Sequence, residues 1–185
     1  MKEFSSPAEA SNWLKEGKIL IHPTEGVWGL GCDALDASAC KKINFLKQRD
    51  PEKKFILLCP STQIALEFFQ PITHDQTSFL NKIWPGHTTV IHHAKKNVAK
   101  HLKASDNTIA VRVSAHTQIL NLLNELSSLM VSTSANISNS PTPTSLVDIY
   151  QSFQDPDVAV YAHANGLEKK PSAIVRLESM EYIRE

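Results

Sequence analysis

The chain has 185 residues, which is enough for one domain with a sizeable core. Hydrophobic residues make up 42% of it and charged residues 21%, and 19 basic residues balance 19 acidic ones. A zero net charge excludes a strong overall attraction to nucleic acid or to a membrane surface. The sequence shows no C-x-x-C pair, no secretory signal and no apolar stretch of membrane-spanning length, so we expect a cytoplasmic protein.

Helix and strand patterns alternate along the chain. A capping serine followed by proline and then glutamate in 6–9 predicts a first helix that ends near Gly17. The elements predicted next are a strand at 18–22, an extended piece at 27–31, a helix at 37–48, a strand at 55–59, helices at 62–69 and 76–83, paired strands at 88–93 and 108–113, a helix at 116–126 and a strand at 129–132. This interleaving predicts an α/β or α+β fold with one mixed sheet.

A run of small and hydroxyl-bearing residues, 131–138 (VSTSANIS), begins in the last of these strands. Such a loop suits an anionic or polar ligand, because small side chains let the backbone N–H groups approach closely. The alternative is an ordinary turn in which the side chains satisfy only local backbone groups. The run alone does not decide between these two interpretations.

Cations are concentrated in 47–54 (KQRDPEKK), between a predicted helix and a predicted buried strand. Arginine and lysine at the edge of a sheet suit a triphosphate, arginine through its planar fork and lysine as a point charge. A solvated charged loop explains the same pattern.

Arg112 lies inside the apolar strand pattern at 108–113. A charge in that place is costly unless it is paired, so Arg112 either meets a buried carboxylate or binds an anionic ligand. No acidic residue is an obvious partner in the sequence, which favours the ligand. The eight histidines have no recognised metal-ligand spacing, and Walker A, G-x-G-x-x-G and G-x-S-x-G motifs are absent.

Several short motifs, in this order along nearly the whole chain, resemble those of the YrdC/TsaC family of threonylcarbamoyl-AMP synthases. They are His22-Pro23-Thr24-Glu25, Gly31-Cys32-Asp33, Lys47-Gln48-Arg49, Trp84-Pro85-Gly86 with Thr89, Ala110-Val111-Arg112-Val113, Ser132 to Ser138, and Pro171-Ser172. Each motif is weak alone, and their combination is specific. The chain resembles the short form of the family, with residues 1–185 as a single domain.

The resemblance implies a twisted, open mixed sheet whose helices pack around a concave ligand pocket. It implies that L-threonine, bicarbonate and ATP react to give threonylcarbamoyl-adenylate and pyrophosphate. The implied cofactor is Mg²⁺ that accompanies ATP, without an identified protein ligand. A downstream tRNA threonylcarbamoyl-transferase complex is then the transient partner that modifies adenosine 37 of tRNA, and direct tRNA contact by this chain is left open.

The same resemblance implies the site residues. Those matched to threonine-binding positions are Thr24, Arg112, Ser132 and Ser172, with Arg112 as partner of the carboxylate. Those matched to ATP-binding positions are Arg49, Lys53, Thr108, Ser134, Asn136, Thr142 and Arg184, and Lys47 with Arg49 forms the expected catalytic pair. Asn139 stands where the family usually has glycine, and asparagine tolerates a positive φ better than most residues.

Two other functions stay open at this point. A non-catalytic RNA-binding module would use the cations Lys41, Lys42, Lys47, Arg49, Lys53 and Lys54, although no aromatic residues interleave with them. A carbamoyl-adenylate domain with another acceptor, as in hydrogenase maturation, usually lies in longer chains with zinc fingers, and this chain lacks such cysteines.

Overall fold

The architecture is that of a computed structural model, which describes residues 1–53, 55–166 and 168–185. These residues form ten strands, six α-helices and one 3₁₀ turn, Lys100–Leu102. The strands are β1 (Lys2–Phe4), β2 (Ile19–His22), β3 (Gly29–Asp33), β4 (Ile56–Cys59), β5 (Thr88–His93), β6 (Thr108–Val113), β7 (Met130–Ser134), β8 (Val158–Tyr161), β9 (Ala173–Arg176) and β10 (Glu181–Arg184). The helices are α1 (Pro7–Lys15), α2 (Ala37–Leu46), α3 (Thr62–Leu66), α4 (His74–Ile83), α5 (Thr117–Leu126) and α6 (Leu146–Ser152).

All ten described strands belong to one sheet in the order β1-β8-β2-β3-β7-β4-β6-β5-β9-β10. Parallel and antiparallel pairs are mixed, so the predicted mixed sheet is confirmed. The predicted pairing of 88–93 with 108–113 is also confirmed, since β5 and β6 are antiparallel neighbours. The two edge strands, β1 and β10, have mostly exposed side chains, and their sequences lack the hydrophobic alternation that predicts a strand.

Local capping decides where the helices begin. The Asp36 side chain accepts hydrogen bonds from the first N–H groups of α2, as expected for an N-cap residue. Thr73 and Gln76 form a capping box at the start of α4. This helix therefore begins at His74, and the predicted start at residue 76 was wrong by two residues.

Two hydrophobic cores lie on opposite faces of the sheet. On one face, α1 and α5 cover the strands near β8 and β2 with Trp13, Leu14, Ile119 and Leu122, all buried. Burial of each large side chain of this kind stabilises the fold by roughly 2 kcal/mol. The same face continues over β6, β5 and β9, where alternate side chains line a cavity. No helix in the described ranges is long or apolar enough to cross a membrane.

Candidate active site

A cavity of about 370 Å³ lies against β5, β6, β7 and β9. Along β6, every second residue lines it, namely Thr108, Ala110 and Arg112. This alternation follows from the pleat of a strand, in which successive side chains point to opposite faces. The residues of β6 between them point into the core on the other side. The strand therefore places one hydroxyl and one guanidinium in the cavity while it also closes the core.

Arg112 is 4% exposed and has an acidic neighbour that the sequence did not suggest. One of its terminal nitrogens lies 3.5 Å from Oε2 of Glu25. The other carboxylate oxygen of Glu25 accepts hydrogen bonds from Oγ of Ser114 at 2.7 Å and from the backbone N–H of Ala115 at 2.9 Å. The expectation that Arg112 has no carboxylate partner in the protein was wrong, because Glu25 lies far from it in sequence and close in space. Arg112 nevertheless lines the cavity.

Several hydroxyl groups lie in the cavity wall with Arg112, and those of Thr24, Ser132 and Ser172 are among them. Oγ1 of Thr24 donates to the carbonyl oxygen of Val27 at 2.6 Å. Oγ of Ser172 lies 2.9 Å from Oγ1 of Thr89, so these two hydroxyls share a hydrogen bond. The structure thus gathers all four residues that the resemblance matched to threonine binding around one cavity.

Four residues matched to ATP binding also line the cavity: Arg49, Thr108, Ser134 and Arg184. Nη1 of Arg49 donates to Oγ1 of Thr133 at 3.2 Å, and its guanidinium lies 5.1 Å from the ring centre of Phe55. Arg184 donates twice to the backbone oxygen of Ser172, at 3.0 and 2.7 Å. Three guanidinium groups and one carboxylate, that of Glu52, therefore line the cavity, so its lining is positively charged although the chain is neutral overall.

Lys47 and Asn136 lie behind the cavity wall and do not line it. Nζ of Lys47 donates to the backbone oxygen of Ser134 and, at 2.5 Å, to that of Asn136. Burial, and then the charge of Arg49, lowers the pKa of Lys47 to about 7. Oγ of Ser134 donates to the Asn136 side chain at 2.6 Å. Lys47 and Asn136 thus hold the end of β7 in place, and a direct catalytic role of Lys47 stays a prediction.

Two further predicted ATP ligands, Lys53 and Thr142, do not line the cavity either. Lys53 is exposed and Thr142 is half-buried. Both were matched by spacing alone, and loop spacing does not fix where a side chain points. The nearby Asn139 has a φ of +65°, which confirms that this loop position needs a residue tolerant of positive φ.

The cations proposed for RNA binding do not form one exposed patch. Lys42 lies 3.0 Å from Asp155 and 2.6 Å from Asp157, so two carboxylates neutralise it. Lys47 is buried, and Arg49 faces the cavity. Lys54 lies outside the described residues. The cluster that the sequence suggested is therefore dispersed.

The sequence interpretation missed the apolar part of the cavity, which is formed by Trp28, Ile56, Ile91 and Ile174. The register between neighbouring strands could have indicated three of these residues, because paired residues lie on the same face of the sheet. Ile56 and Ile91 both pair with Ala110, and Ile174 pairs with Thr89. It also missed His87, which lines the cavity and is half-buried. Burial, and then the charge of Arg112, lowers the pKa of the His87 imidazole.

Comparison with known proteins identifies one family and several similar chains. The model of the Sua5/YciO/YrdC family, described as "Telomere recombination", matches residues 12–185. A threonylcarbamoyl-AMP synthase of Vibrio parahaemolyticus is 32% identical over 176 residues, which are 94% of this chain and 95% of that protein. The crystal structure of P. abyssi Sua5 complexed with L-threonine has a TM-score of 0.82 and 28% identity, and it covers 93% of this chain. The match takes up 51% of the Sua5 chain, so this chain spans about half its length. The YciO structure from E. coli has a TM-score of 0.84 at 23% identity over 97% of this chain and 88% of that chain.

Proposed function

The chain belongs to the Sua5/YciO/YrdC family, and from this premise we propose that it is a threonylcarbamoyl-AMP synthase. It converts L-threonine, bicarbonate and ATP to threonylcarbamoyl-adenylate and pyrophosphate, and is thus a nucleotidyltransferase. The observation that carries the proposal is the buried guanidinium of Arg112 among the hydroxyls of Thr24, Ser132 and Ser172. An amino acid needs a cation beside its carboxylate and hydrogen-bonding groups beside its amino group, and a fixed guanidinium among hydroxyl groups supplies both.

The proposed reaction has two bond-forming steps. The free amino group of threonine forms a C–N bond with the carbon of bicarbonate, whose C–O bond breaks so that water leaves, or adds to CO₂ and gives up a proton; either route gives a carbamate. A carbamate oxygen then attacks the α-phosphorus of ATP, and the bond to pyrophosphate breaks. Arg112 binds the threonine carboxylate, while Arg49 and Arg184 offset the negative charge of the phosphates. No covalent enzyme intermediate is needed, so positioning and charge stabilisation carry the catalysis.

We also propose that Mg²⁺ reaches the site on the phosphates of ATP, where it would offset part of their charge. Within the described ranges, no group of three or more His, Cys, Asp or Glu side chains is placed to hold a metal ion. The cavity lining instead has three arginines and several hydroxyls against the single carboxylate of Glu52, and this set suits an anion better than a cation. Phosphate oxygens, rather than protein side chains, would therefore supply most of the ligands of the ion.

The product has a reactive acyl-phosphate linkage and must be consumed by a second enzyme. We propose that a tRNA threonylcarbamoyl-transferase complex takes it up in the cytoplasm and transfers the group to adenosine 37 of tRNA. The dispersal of the cation cluster argues against a large tRNA-binding surface on this chain itself. We propose in addition that residues 1–185 form a single domain, as expected for the short form of the family.

A product assay tests the proposal. The purified protein is incubated with ATP, Mg²⁺, bicarbonate and one amino acid at a time, and adenylates are identified by mass spectrometry. We expect threonylcarbamoyl-adenylate with L-threonine, and no adenylate when bicarbonate or amino acid is left out. In a parallel reaction, an adenylate formed from ATP and carbamoyl phosphate without any amino acid would instead favour a carbamoyl-adenylate domain with another acceptor. Salt-dependent RNA binding without ATP turnover would contradict the synthase function.

A further inference from the structure

His22, at the end of β2, is fully buried and reaches across a neighbouring strand. In the sheet order, β3 lies between β2 and β7, which carries Ser132. The imidazole lies directly over β3 at Gly29 and Gly31. A Cβ atom on Gly29 would lie only 2.3 Å from Cε1 of His22, and one on Gly31 would lie 3.3 Å from Nε2. The missing side chain of Gly29 therefore makes room for the ring, and Gly31, whose Cβ would first meet the Val131 backbone oxygen at 2.4 Å, extends this slot, through which the ring contacts a strand that is not its neighbour.

The hydrogen bonds of the ring fix its tautomer. Nδ1 of His22 lies 2.9 Å from the carbonyl oxygen of Pro23, which can only accept, so Nδ1 carries the proton. Burial lowers the pKa of His22 to about 4, and hence the ring is neutral at physiological pH. A neutral imidazole protonated at Nδ1 has a lone pair on Nε2. Nε2 lies 3.1 Å from Oγ of Ser132, so the serine hydroxyl donates its proton to His22.

This bond determines what Ser132 can offer to a ligand. Its single hydroxyl proton is directed at His22, so toward the cavity its oxygen can only accept. The hydroxyl of Thr24 also donates its proton within the protein, to the carbonyl oxygen of Val27, and its oxygen already accepts one hydrogen bond from the N–H of Gly26 at 3.1 Å, so one lone pair is left for a ligand. The hydroxyl oxygens of Thr24 and Ser132 are thus acceptors in the wall, while Arg112 supplies donors. Two hydroxyl oxygens that can only accept hydrogen bonds repel a carboxylate and bind an N–H group.

We propose that His22 is a positioning residue that orients the Ser132 hydroxyl so that its oxygen accepts a hydrogen bond from the amino group of the bound amino acid. The proposal rests on the proposed function, since it takes threonine as the ligand. It sets the orientation of the substrate: the carboxylate lies toward Arg112 and the amino group toward Thr24 and Ser132. The amino group is the atom that forms the carbamate, so this contact places the reacting nitrogen.

The first test compares two ligands that differ only in the amino group. L-Threonine and (R)-3-hydroxybutyrate, which is threonine without its amino group, are titrated by calorimetry into the wild type, H22L and H22Q. A merely structural role of His22 would weaken both ligands alike. We expect the ratio of the two affinities to fall about fivefold to tenfold in H22L, as for the loss of one oriented hydrogen bond. In H22Q the glutamine oxygen replaces Nε2 as acceptor, and we expect most of the ratio to return.

A third variant, S132A, provides the matched control. It should lower the affinity ratio as H22L does, and the double variant H22L/S132A should lower it no further, because both changes remove one interaction. If the affinity ratio is unchanged in H22L, while the wild type binds threonine and forms the adenylate, the role of His22 is overturned and the proposed function stands. A wild type that forms no threonylcarbamoyl-adenylate overturns the proposed function instead.

The second test does not depend on H22L and holds even if that variant fails to fold. Nitrogen NMR of histidine-labelled wild-type protein at neutral pH distinguishes the two neutral tautomers of a buried ring. We expect a resonance pair for His22 in which Nδ1 is protonated and Nε2 is not; H22Q, which lacks the pair, supplies the assignment. Protonation at Nε2 would make Ser132 an acceptor from His22 and would overturn the proposal.

Discussion

Arg112 and Glu25 form a buried ion pair that leaves part of the cation unused. Their closest atoms are 3.5 Å apart, a distance at which the charges attract each other but no hydrogen bond joins them. Within the described part of the chain, Nε of Arg112 and Oε2 of Glu25 have no hydrogen-bond partner. Glu25 thus offsets the cost of burying the guanidinium without occupying its donors. A ligand carboxylate can take these donors, so the internal acid and the ligand are complementary partners of one arginine.

Replacing Arg112 by alanine should abolish most of the synthase activity. A charge-assisted contact with the substrate carboxylate is lost, and we expect kcat/KM for threonine to fall by roughly two to three powers of ten. Pyrophosphate release measures this. R176Q is the matched control, because Arg176 lies on β9 and does not line the cavity. Activity of R112A within a few-fold of the wild type would make Arg112 a structural residue.

Replacing Glu25 by glutamine should have opposite effects on stability and on substrate affinity. The glutamine oxygen can still accept from Ser114 and Ala115, but the guanidinium loses its internal counterion. We expect the free energy of unfolding to fall by about 3 kcal/mol, as for other broken buried ion pairs.

The same change removes a negative charge that repels the substrate carboxylate. KM for threonine should therefore fall in E25Q by roughly threefold, a Coulomb gain of less than 1 kcal/mol. Urea unfolding and steady-state kinetics on one preparation separate the two effects. A rise in KM as large as that of R112A would mean that Glu25 is needed to orient the arginine.

Lys47 should matter for activity more than for stability. In K47M the backbone oxygens of Ser134 and Asn136 lose their donor, but the burial of an ammonium group is also removed. These effects offset each other, so we expect the free energy of unfolding to change by less than about 1 kcal/mol. Ser134 is then no longer held in position by the hydrogen bond from Lys47, and we expect kcat/KM for ATP to fall about tenfold or more. K41M, at an exposed lysine of α2, should match the wild type in both measurements. A large loss of stability in K47M would contradict the assumed balance.

The framework of the fold follows closely from local patterns. Apolar runs and capping residues predict the central strands and the helices, because those signals lie within a few residues of each other. The cavity-lining residues of β6 are predictable for the same reason, since alternation assigns Thr108 and Arg112 to one face. The charged edge strands escaped prediction, because they are held by pairing with β8 and β9 rather than by apolar side chains of their own.

Contacts between distant segments could not be predicted from local patterns. Glu25 lies in the loop after β2 and Arg112 on β6, which is four positions away in the sheet, so the path of that loop in the folded chain brings them together. Lys47 looks like a solvent-exposed cation in the sequence, and it is buried only because the end of β7 passes over it. The slot for His22 needs three strands in one register, with Gly29 paired with His22 and Gly31 paired with Leu20. Such features depend on which distant segments meet in the folded protein, and a local sequence pattern contains no information about that.

The buried His22 should make the stability of the protein depend on pH in a defined window. Its pKa is about 4 in the folded protein, because burial and the charge of Arg112 outweigh the hydrogen bond to Pro23, and it returns to the ordinary 6.5 on unfolding. His116 lowers and Glu25 raises this pKa by smaller amounts. Above pH 6.5 the ring is neutral in both states. As the pH falls from 6.5 toward 4, the unfolded chain takes up a proton that the folded protein does not, so stability is lost.

We expect His22 to lower the free energy of unfolding by about 2 kcal/mol between pH 7 and pH 5, from the difference between the two pKa values. H22Q lacks this titration, so its stability should fall less over the same interval, whatever its stability at pH 7. H74Q is the control for the loss of one histidine, because the His74 side chain is 94% exposed. Urea unfolding at pH 7, 6 and 5 measures the three slopes. Equal slopes for the wild type and H22Q would show that His22 titrates normally, and a normally titrating ring would not hold Ser132 in the orientation inferred for the bound amino acid.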